Sequence, residues 1–273
     1  KPGIYTLLVR NPVNGCTAND VVQIFNDVNT PQANAGTAAT LTCTLKQTSL
    51  NASASTGPTF SYQWTTSGTG SIVNGASTLK PLVDRPGIYT LSVLNSVNGC
   101  VSTSTVSVPE DVTPPVVSAG ADATLSCSIQ SLSLSGTASG GAVTYSWQAS
   151  NGGNILSGNN TPAPIVNRTG TYTLIATLNS NGCTASDAAV VKIDTLAPVL
   201  SIEPPLLLTC SQKTTALIGM VQQPGAGSFS AAWTTNGGHF AAGQNTLTTS
   251  ADAPGTYILE IKNTQNGCSK KSK

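Results

Sequence analysis

The sequence predicts an all-β protein built as a tandem array of β-sandwich domains, and three observations carry this prediction. A stretch of the form Gly-x-Tyr…Asn-Gly-Cys occurs four times, with its tyrosine at Tyr5, Tyr89, Tyr172 and Tyr257. The near-constant interval between these tyrosines indicates an array of one domain type. Within each period, short runs of alternating apolar and polar residues are separated by turn residues, as in half-buried strands, and helical periodicity is absent.

The repeated stretch is predicted to form a β-hairpin. In the copy that begins at Gly87, the side chains of Tyr89, Leu91 and Val93 alternate with polar ones and share one face. The Asn-Gly pair that follows accepts the positive φ angles of a tight turn, and a second strand then runs over residues 100–108. The hairpin resembles the last two strands, F and G, of an immunoglobulin-like sandwich, and its Gly-x-Tyr opening resembles the tyrosine corner of that fold.

Two further landmarks precede the second, third and fourth copies of the hairpin. One is a short strand that ends in tryptophan and resembles strand C with its core tryptophan. The other is a Leu-Thr-Cys or Leu-Ser-Cys sequence, which we assign to the end of the first strand. We therefore expect immunoglobulin-like β-sandwiches whose cores contain Trp64, Trp147, Trp233, Tyr5, Tyr89, Tyr172 and Tyr257.

The period divides the chain into one partial and three larger repeats. Residues 1–28 are a partial repeat consisting of the last two strands, residues 29–112 are repeat one, and residues 113–195 are repeat two. Residues 196–273 are repeat three, which is predicted to lack its last strand. Short, proline-bearing junctions separate the repeats and predict a semi-rigid arrangement. We expect the chain to be a segment of a longer protein.

Composition and motifs exclude several classes of function. Charged residues make up 8% of the chain and the net charge is +1, so there is no basic surface for nucleic acid. No apolar run is long enough for membrane insertion. The GxSxG, HExxH and phosphate-loop motifs are absent, and the single histidine, His239, lies in a predicted exposed turn. The sequence therefore predicts a protein that is not an enzyme.

Carboxylates recur at the junctions and form the one candidate metal site. Asp27, Asp111 and Asp194 follow one another with the same period as the tyrosines. Carboxylates at domain junctions can hold Ca²⁺, but one or two acids supply few of the six to eight oxygen ligands that the ion takes. We expect these aspartates to serve the turn and linker, with structural calcium as the alternative and no other cofactor.

The seven cysteines recur at two places per repeat, which favours disulfides and an oxidising compartment over metal binding. If strands run as in an immunoglobulin-like sandwich, the two places lie at opposite ends of one repeat. That placement favours pairing between repeats, as Cys43–Cys183 and Cys127–Cys268, with Cys16 and Cys100 paired upstream and Cys210 downstream. The alternative is pairing within repeats, as Cys43–Cys100, Cys127–Cys183 and Cys210–Cys268. Loop entropy contributes roughly 4–5 kcal/mol in either scheme, so it does not choose between them.

Taken together, the Gly-x-Tyr hairpins, the Asn-Gly-Cys turns, the Leu-Thr-Cys sequences and the Tyr-x-Trp strands resemble a known family. They are similar to the tandem Ig-like or PKD-like repeats of giant cell-surface adhesins of Bacteroidetes-type bacteria, including gliding-motility and type IX-secreted proteins. The resemblance covers the whole chain.

This resemblance implies export to the extracellular cell surface and a structural role as a fibre or stalk in adhesion or motility. The implied partners are neighbouring repeats and other copies in a fibre, including copies that exchange terminal strands. The alternative function is an array of modules that bind surface polysaccharide or a host surface.

Overall fold

The computed structural model describes residues 1–222 and 228–273, and these fall into two compact units. Unit one contains Lys1–Thr113 together with Asn181–Cys183, and unit two contains Pro114–Ser180 and Thr184–Lys273. The described residues form 26 strands and one short 3₁₀ helix, Ser53–Ser55. Among them, no helix has the length and apolarity needed to cross a membrane. The protein is therefore all-β, as the sequence predicts.

Unit one begins with a hairpin that stands as a separate two-stranded sheet. Its strands are β1 (Gly3–Arg10) and β2 (Thr17–Ile24), paired antiparallel with Tyr5 opposite Val22. Every residue of both strands is exposed, and Tyr5 is 46% exposed. The prediction that Tyr5 lies in a core is therefore wrong, because no second sheet covers this hairpin in the part of the chain that the structure describes.

Repeat one folds as a sandwich of two three-stranded sheets. Its strands are β3 (Leu41–Thr42), β4 (Thr48–Ser49), β5 (Phe60–Ser67), β6 (Ile72–Asn74), β7 (Leu82–Val83), β8 (Gly87–Asn95), β9 (Val101–Val108) and β10 (Glu110–Asp111). One sheet has the order β5-β8-β9 and the other β4-β7-β6, and the short strand β3 pairs in parallel with β10. The order corresponds to strands C, F and G facing strands B, E and D of an immunoglobulin-like sandwich.

Repeat two lies in unit two, apart from Thr113 and the turn at residues 181–183. Its strands are β11 (Val116–Ser118), β12 (Ala123–Ser126), β13 (Leu132–Ser133), β14 (Thr137–Ser139), β15 (Val143–Ser150), β16 (Ile155–Ser157), β17 (Ile165–Val166), β18 (Gly170–Leu178) and β19 (Thr184–Asp194). The sheets have the orders β12-β19-β18-β15, β13-β17-β16 and β11-β14. The first strand is thus split: β11 joins strand B on one sheet, whereas β12 runs parallel to the last strand on the other.

Repeat three also lies in unit two. Its strands are β20 (Val199–Ile202), β21 (Thr215–Gln222), β22 (Phe229–Asn236), β23 (Phe240–Ala242), β24 (Thr248–Ala251), β25 (Thr256–Asn263) and β26 (Ser269–Ser272). The sheets have the orders β20-β21-β24-β23 and β22-β25-β26. The prediction that this repeat lacks its last strand is wrong. The short β26 suffices to pair antiparallel with β25, with Leu259 opposite Ser272.

The tryptophan strands supply the centre of each core, as the alternation of their residues predicts. Trp64, Trp147 and Trp233 are 1%, 4% and 3% exposed. Each indole Nε1–H donates to a backbone carbonyl oxygen 2.9–3.0 Å away, on Thr78, Thr161 and Thr246 respectively. A buried indole thus has its one polar group satisfied, which removes the cost of burying it unpaired.

The tyrosine corner predicted from Gly-x-Tyr is present in the described structure. The hydroxyl groups of Tyr5, Tyr89, Tyr172 and Tyr257 each donate to the backbone carbonyl oxygen four residues earlier, at 2.6–2.8 Å. Tyr89 and Tyr172 are fully buried. Tyr257 is only partly buried, and it packs edge-on against Phe240 with ring centroids 5.2 Å apart. The corner therefore forms locally, and burial depends on what packs over it.

We expect Tyr172→Phe to lower the unfolding free energy of repeat two by about 1–3 kcal/mol. The substitution keeps the ring but leaves the carbonyl oxygen of Arg168 and the backbone N–H of Asn154 without the partner that the hydroxyl provides. Denaturation followed by tryptophan fluorescence measures the change. Tyr5→Phe is the matched control, since the exposed Tyr5 hydroxyl bonds the Lys1 carbonyl oxygen and water can replace it. Equal effects of the two variants would contradict this account.

Acid sensitivity is expected at the start of repeat two. The backbone N–H of Ala119 donates to Asp187 Oδ2 at 2.8 Å, and this bond, with a second from the Ala188 N–H, lowers the pKa of the exposed Asp187 carboxyl. Because the folded pKa is depressed, the bond stabilises the fold above the ordinary pKa and is lost as pH falls through the folded value. In repeat one, the neutral Ser104 hydroxyl accepts the equivalent bond from Ala35. We therefore expect Asp187→Ser to fold and to flatten the stability–pH curve below about pH 4.

Candidate functional site: the repeat junctions

Two disulfides join cysteines of consecutive repeats. Within unit one, Cys43 of repeat one is bonded to Cys183 of repeat two, with Cα atoms 5.0 Å apart. Within unit two, Cys127 of repeat two is bonded to Cys268 of repeat three, again with Cα atoms 5.0 Å apart. The sequence separations are 140 and 141 residues, so the same connection is made twice, one repeat apart.

Pairing within repeats, as Cys43–Cys100, Cys127–Cys183 and Cys210–Cys268, does not occur in the structure. The strand before Cys43 pairs in parallel with Glu110–Asp111, at the far end of the strand that Cys100 begins. At about 3.3 Å per residue, the two cysteines lie on the order of 30 Å apart along that strand, far beyond disulfide reach. In the described structure Cys16, Cys100 and Cys210 carry no disulfide; Cys16 and Cys210 are exposed and Cys100 is partly buried.

The turn that carries each second cysteine is held by its asparagine. In repeat three, the Asn266 side-chain amide donates to Asp194 Oδ1 at 3.1 Å and to the Leu196 carbonyl oxygen at 2.9 Å. Its carbonyl oxygen accepts the backbone N–H of Cys268 at 2.9 Å. Asn266 is 3% exposed, so these bonds are made away from water. We call this arrangement the asparagine clasp.

The clasp recurs in repeat two with the equivalent donors and acceptors, and in repeat one with part of the set. Asn181 donates to Asp111 Oδ1 at 3.0 Å and to the Thr113 carbonyl oxygen at 2.9 Å, and it accepts from the Cys183 N–H. In repeat one, Asn98 donates to the Asn29 carbonyl oxygen at 3.0 Å and accepts from Cys100. Each clasp ties the turn between strands F and G to the segment at which its own repeat begins.

The junction aspartates therefore act as hydrogen-bond acceptors in the clasp. The Oδ1 atoms of Asp27, Asp111 and Asp194 each also accept the backbone N–H two residues later, at 3.1–3.2 Å. At Asp27 the Asn29 N–H, together with the Asn98 amide, holds the pKa of the exposed carboxyl below its ordinary value. Among the described residues, no three Cys, His, Asp or Glu side chains cluster closely enough to hold a metal ion. In the clasps, side-chain amides donate hydrogen bonds to the same aspartate carboxylates that the sequence suggests as calcium ligands.

Glycine in the clasp allows the partner turn to approach. Gly267 has φ +73°, and a Cβ built on it would lie 2.6 Å from the Ser128 Cβ. The Ser128 backbone N–H donates to the Asn266 carbonyl oxygen at 3.2 Å in the same contact. A Cβ on Gly182 would likewise meet Thr44 at 2.3 Å, whereas one on Gly99, also at φ +73°, would have no described atom within 4 Å. The clasps at Gly182 and Gly267 are thus occupied by a residue of the preceding repeat, whereas the clasp at Gly99 has no described atom against its glycine.

We expect Gly267→Ala to slow oxidation of the Cys127–Cys268 pair at least fivefold during refolding, because the added methyl group overlaps Ser128. Gly99→Ala is the matched control: it places alanine at the same positive φ with open space around it, so both variants share the backbone strain of about 1 kcal/mol. The measurement is acid-quenched peptide mapping during oxidative refolding. An equal delay in both variants would attribute the effect to backbone strain alone.

His239, the single histidine of the chain, lies outside the repeat junctions. The His239 Nδ1 and Asp252 Oδ1 atoms are 2.7 Å apart in a surface turn of repeat three, and no cysteine or second histidine is near them in sequence.

The sequence predicts that the Asn-Gly pairs form turns, but it does not predict that the clasp asparagines bind the junction aspartates. Asn181 and Asn266 follow the junction aspartates that they contact by 70 and 72 residues respectively. Asn98 stands at the corresponding place after Asp27. This nearly constant interval is present in the sequence and is the signal that could have found the clasp.

Known families and solved structures are similar to parts of this chain. The family model described as PKD domain matches residues 104–193, about a third of the chain. No curated protein matches. Among solved structures, the PKD domain from KIAA 1837 protein is 24% identical, with a TM-score of 0.27, over 33% of this chain and 97% of that one.

Longer immunoglobulin arrays are matched at lower identity. Sidekick-1 immunoglobulin domains 1-5 are 12% identical, with a TM-score of 0.31, over 99% of this chain, which spans 65% of that one. The I9-I11 tandem from titin is 11% identical, with a TM-score of 0.32, over 82% of this chain and 90% of that one. At these TM-scores the structural matches carry no argument. From its strand orders, its internal period and the match over residues 104–193, the chain is a tandem array of immunoglobulin- and PKD-like β-sandwich repeats.

Proposed function

We propose that this chain is a structural segment of a long extracellular fibre or stalk at a cell surface, serving adhesion or motility. The observation that carries the proposal is the recurrence of a disulfide between consecutive repeats at an equivalent position. Such bonds persist in oxidising, extracytoplasmic compartments. The resemblance of the repeats to those of type IX-secreted surface adhesins supports the same assignment, and a non-catalytic role is part of the proposal.

The two disulfide loops overlap, and this gives the chain a short covalent path. Cys127 lies inside the loop closed by Cys43–Cys183, and Cys183 lies inside the loop closed by Cys127–Cys268. Tension applied to the two ends therefore follows residues 1–43 and crosses the Cys43–Cys183 disulfide. It then runs back along the chain from residue 183 to residue 127, crosses the Cys127–Cys268 disulfide and leaves through residues 268–273. Roughly 105 residues carry it, which at about 3.4 Å each is about 360 Å, against about 930 Å for all 273 residues.

The proposal predicts how the molecule responds to pulling. With handles at both termini in optical tweezers, the oxidised chain should reach a final contour length of about 360 Å. After reduction it should reach about 930 Å, because the whole chain is then under tension. The short contour length in the oxidised state means that the disulfides limit how far the chain extends under tension, as a fibre segment requires. Extension to the long value without reductant would sink the proposal.

The alternative function, an array that binds polysaccharide or a host surface, is tested separately. The three tryptophans are buried and cannot stack on sugar rings. We therefore expect no binding to a panel of surface polysaccharides by calorimetry. Specific micromolar binding to one of them would favour the alternative over a purely structural role.

A further inference from the structure

The two cysteines of each junction disulfide differ in exposure. Cys183 and Cys268, the clasp cysteines, are 1% and 2% exposed. Their partners lie nearer the solvent, since Cys127 is exposed and Cys43 is partly exposed. Cys43 also lines an open surface groove of about 500 Å³. The difference has the same sense at both junctions, so one cysteine of each bond is accessible to a reagent and the other is shielded.

The accessible cysteine belongs to an exposed turn that also carries an aliphatic side chain. Leu45 and Ile129, each two residues after the cysteine, are 41% and 46% exposed. Each turn is closed by hydrogen bonds between this aliphatic residue and the residue before the cysteine, Thr42 in one turn and Ser126 in the other. Each turn therefore presents a cysteine and an apolar side chain to the solvent together.

The clasp cysteine is enclosed by its own junction. The Cys268 sulfur lies 3.9 Å from the carbonyl oxygen of Asp194 and 4.0 Å from that of Asn266. Ser128 lies against the neighbouring Gly267. A thiolate at Cys268 in the closed junction is thus removed from water and faces two electronegative oxygens, both of which disfavour its charge. Exchange that starts at this sulfur is opposed by access and by electrostatics.

The order of the cysteines along the chain makes this difference matter for correct pairing. Cys100 and Cys127 lie between Cys43 and its partner Cys183, so oxidation of an unfolded chain closes shorter, wrong loops at least as readily. The observed bond requires Cys43 to stay reactive until the fold of the next repeat has placed Cys183 beside it. A cysteine that is activated in an exposed turn, and then meets a partner held in a clasp, satisfies this requirement.

We propose that Cys43 and Cys127 are the residues through which a thiol–disulfide oxidase closes each junction, with Cys183 and Cys268 as the resolving thiols. The partner is an enzyme whose active site carries a reactive disulfide beside an apolar surface, which contacts the aliphatic residue of the turn. The inference rests on the proposed function, since an exported fibre segment needs its junction disulfides in place.

The exchange takes two steps. The Cys127 thiolate attacks the oxidase disulfide, forms a mixed disulfide with one enzyme sulfur and releases the other as a thiolate. The Cys268 thiolate then attacks the Cys127 sulfur of the mixed disulfide, forms the junction bond and releases the second enzyme thiolate. Two thiols of the chain are oxidised and lose two protons, and the enzyme disulfide is reduced to a dithiol that takes them up. Cys43 and Cys183 follow the same course.

Single serine variants separate the two sulfurs of a junction, with oxidised glutathione as the probe. Cys268→Ser leaves Cys127 free, and Cys127→Ser leaves Cys268 free. Cys183→Ser and Cys43→Ser are the matched pair at the other junction. We expect glutathione to add to Cys127 and Cys43 roughly tenfold faster, or more, than to Cys268 and Cys183. Acid-quenched peptide mapping measures the rates, and equal rates at the two kinds of cysteine would overturn the inference.

The unmodified chain supplies a second measurement that does not depend on how the variants fold. The probe is a thioredoxin whose second active-site cysteine is replaced by serine, so that it attacks a disulfide and stays attached to the sulfur that it attacked. After acid quenching, the attached peptides should be those of Cys43 and Cys127. Attachment mainly to Cys183 and Cys268, or no attachment at any of the four, contradicts the assignment.

Ile129→Ser tests contact with the oxidase apart from thiol reactivity. With oxidised protein disulfide isomerase as the probe, closure of Cys127–Cys268 should slow about fivefold, the size expected for one lost apolar contact. Closure by oxidised glutathione should not change. Equal effects with both oxidants would remove the enzyme from the inference. If neither junction disulfide were found in the mapped chain, the proposed function would fail as well; if both are found, only the inference fails.

Discussion

Replacement of both Cys127 and Cys268 by serine is expected to lower the unfolding free energy of unit two by about 5 kcal/mol, the size that loop-closure entropy gives for so long a loop. The two cysteines are separated by 141 residues in the sequence. The loss should be seen as a lower midpoint in guanidinium, followed through the fluorescence of Trp147 and Trp233, which lie in the two cores of this unit.

The control for this result is Cys210→Ser, which removes an exposed, unpaired thiol from the same unit. It should shift the unfolding free energy by less than about 0.5 kcal/mol. A double variant no less stable than this control would mean that the junction disulfide constrains nothing in the unfolded chain. Reduction of the wild-type protein should reproduce the effect of the double variant and add the loss of Cys43–Cys183 in unit one.

Replacement of Asn266 is expected to have the next largest effect. Asn266→Ala leaves the Asp194 carboxylate, the Leu196 carbonyl oxygen and the Cys268 N–H without the partner that a nearly buried amide gives them. We expect a loss of about 2–4 kcal/mol, since each buried group left unpaired costs about 1–3 kcal/mol. Asn14→Ala is the matched control, because it removes a single exposed bond from the same kind of turn. It should cost less than about 1 kcal/mol.

The isosteric Asn266→Asp tests whether charge matters in the clasp. It places a second carboxylate about 3 Å from Asp194 Oδ1, and like charges at this distance repel. We expect it to be at least as destabilising as Asn266→Ala at neutral pH. Combining it with Asp194→Asn restores one carboxylate and one amide, and should recover more than half of the loss in a double-mutant cycle. Purely additive effects would show that the two side chains do not interact.

The sequence by itself determined the fold class and the centres of the cores. Alternation with period two, Asn-Gly turns and a regular internal repeat are local signals, and each acts within a few residues. They sufficed for the F–G hairpins, for the buried Trp64, Trp147 and Trp233, and for the tyrosine corner, in which the hydroxyl bonds a carbonyl only four residues away. The match of residues 104–193 to the PKD domain family agrees with that assignment.

Tertiary structure decided what depends on packing and on contacts distant in sequence. Tyr5 carries the same local motif as Tyr89, yet it is exposed because nothing in the described residues covers its hairpin. The last strand of repeat three forms from a short segment because it pairs with the edge of β25. No local sequence pattern encodes this pairing.

The junction shows the same limit most clearly. Cysteine spacing alone allowed two pairing schemes of equal entropy, and the sandwich-like strand order expected from the sequence favoured pairing between repeats. In the structure that strand order places Cys43 about 30 Å from Cys100 and beside Cys183 instead. The asparagine clasp joins Asn181 to Asp111 and Asn266 to Asp194 across most of a repeat. Its partners meet only because each F–G turn folds back to the segment at which its own repeat begins, so the joint between repeats is a property of the assembled fold.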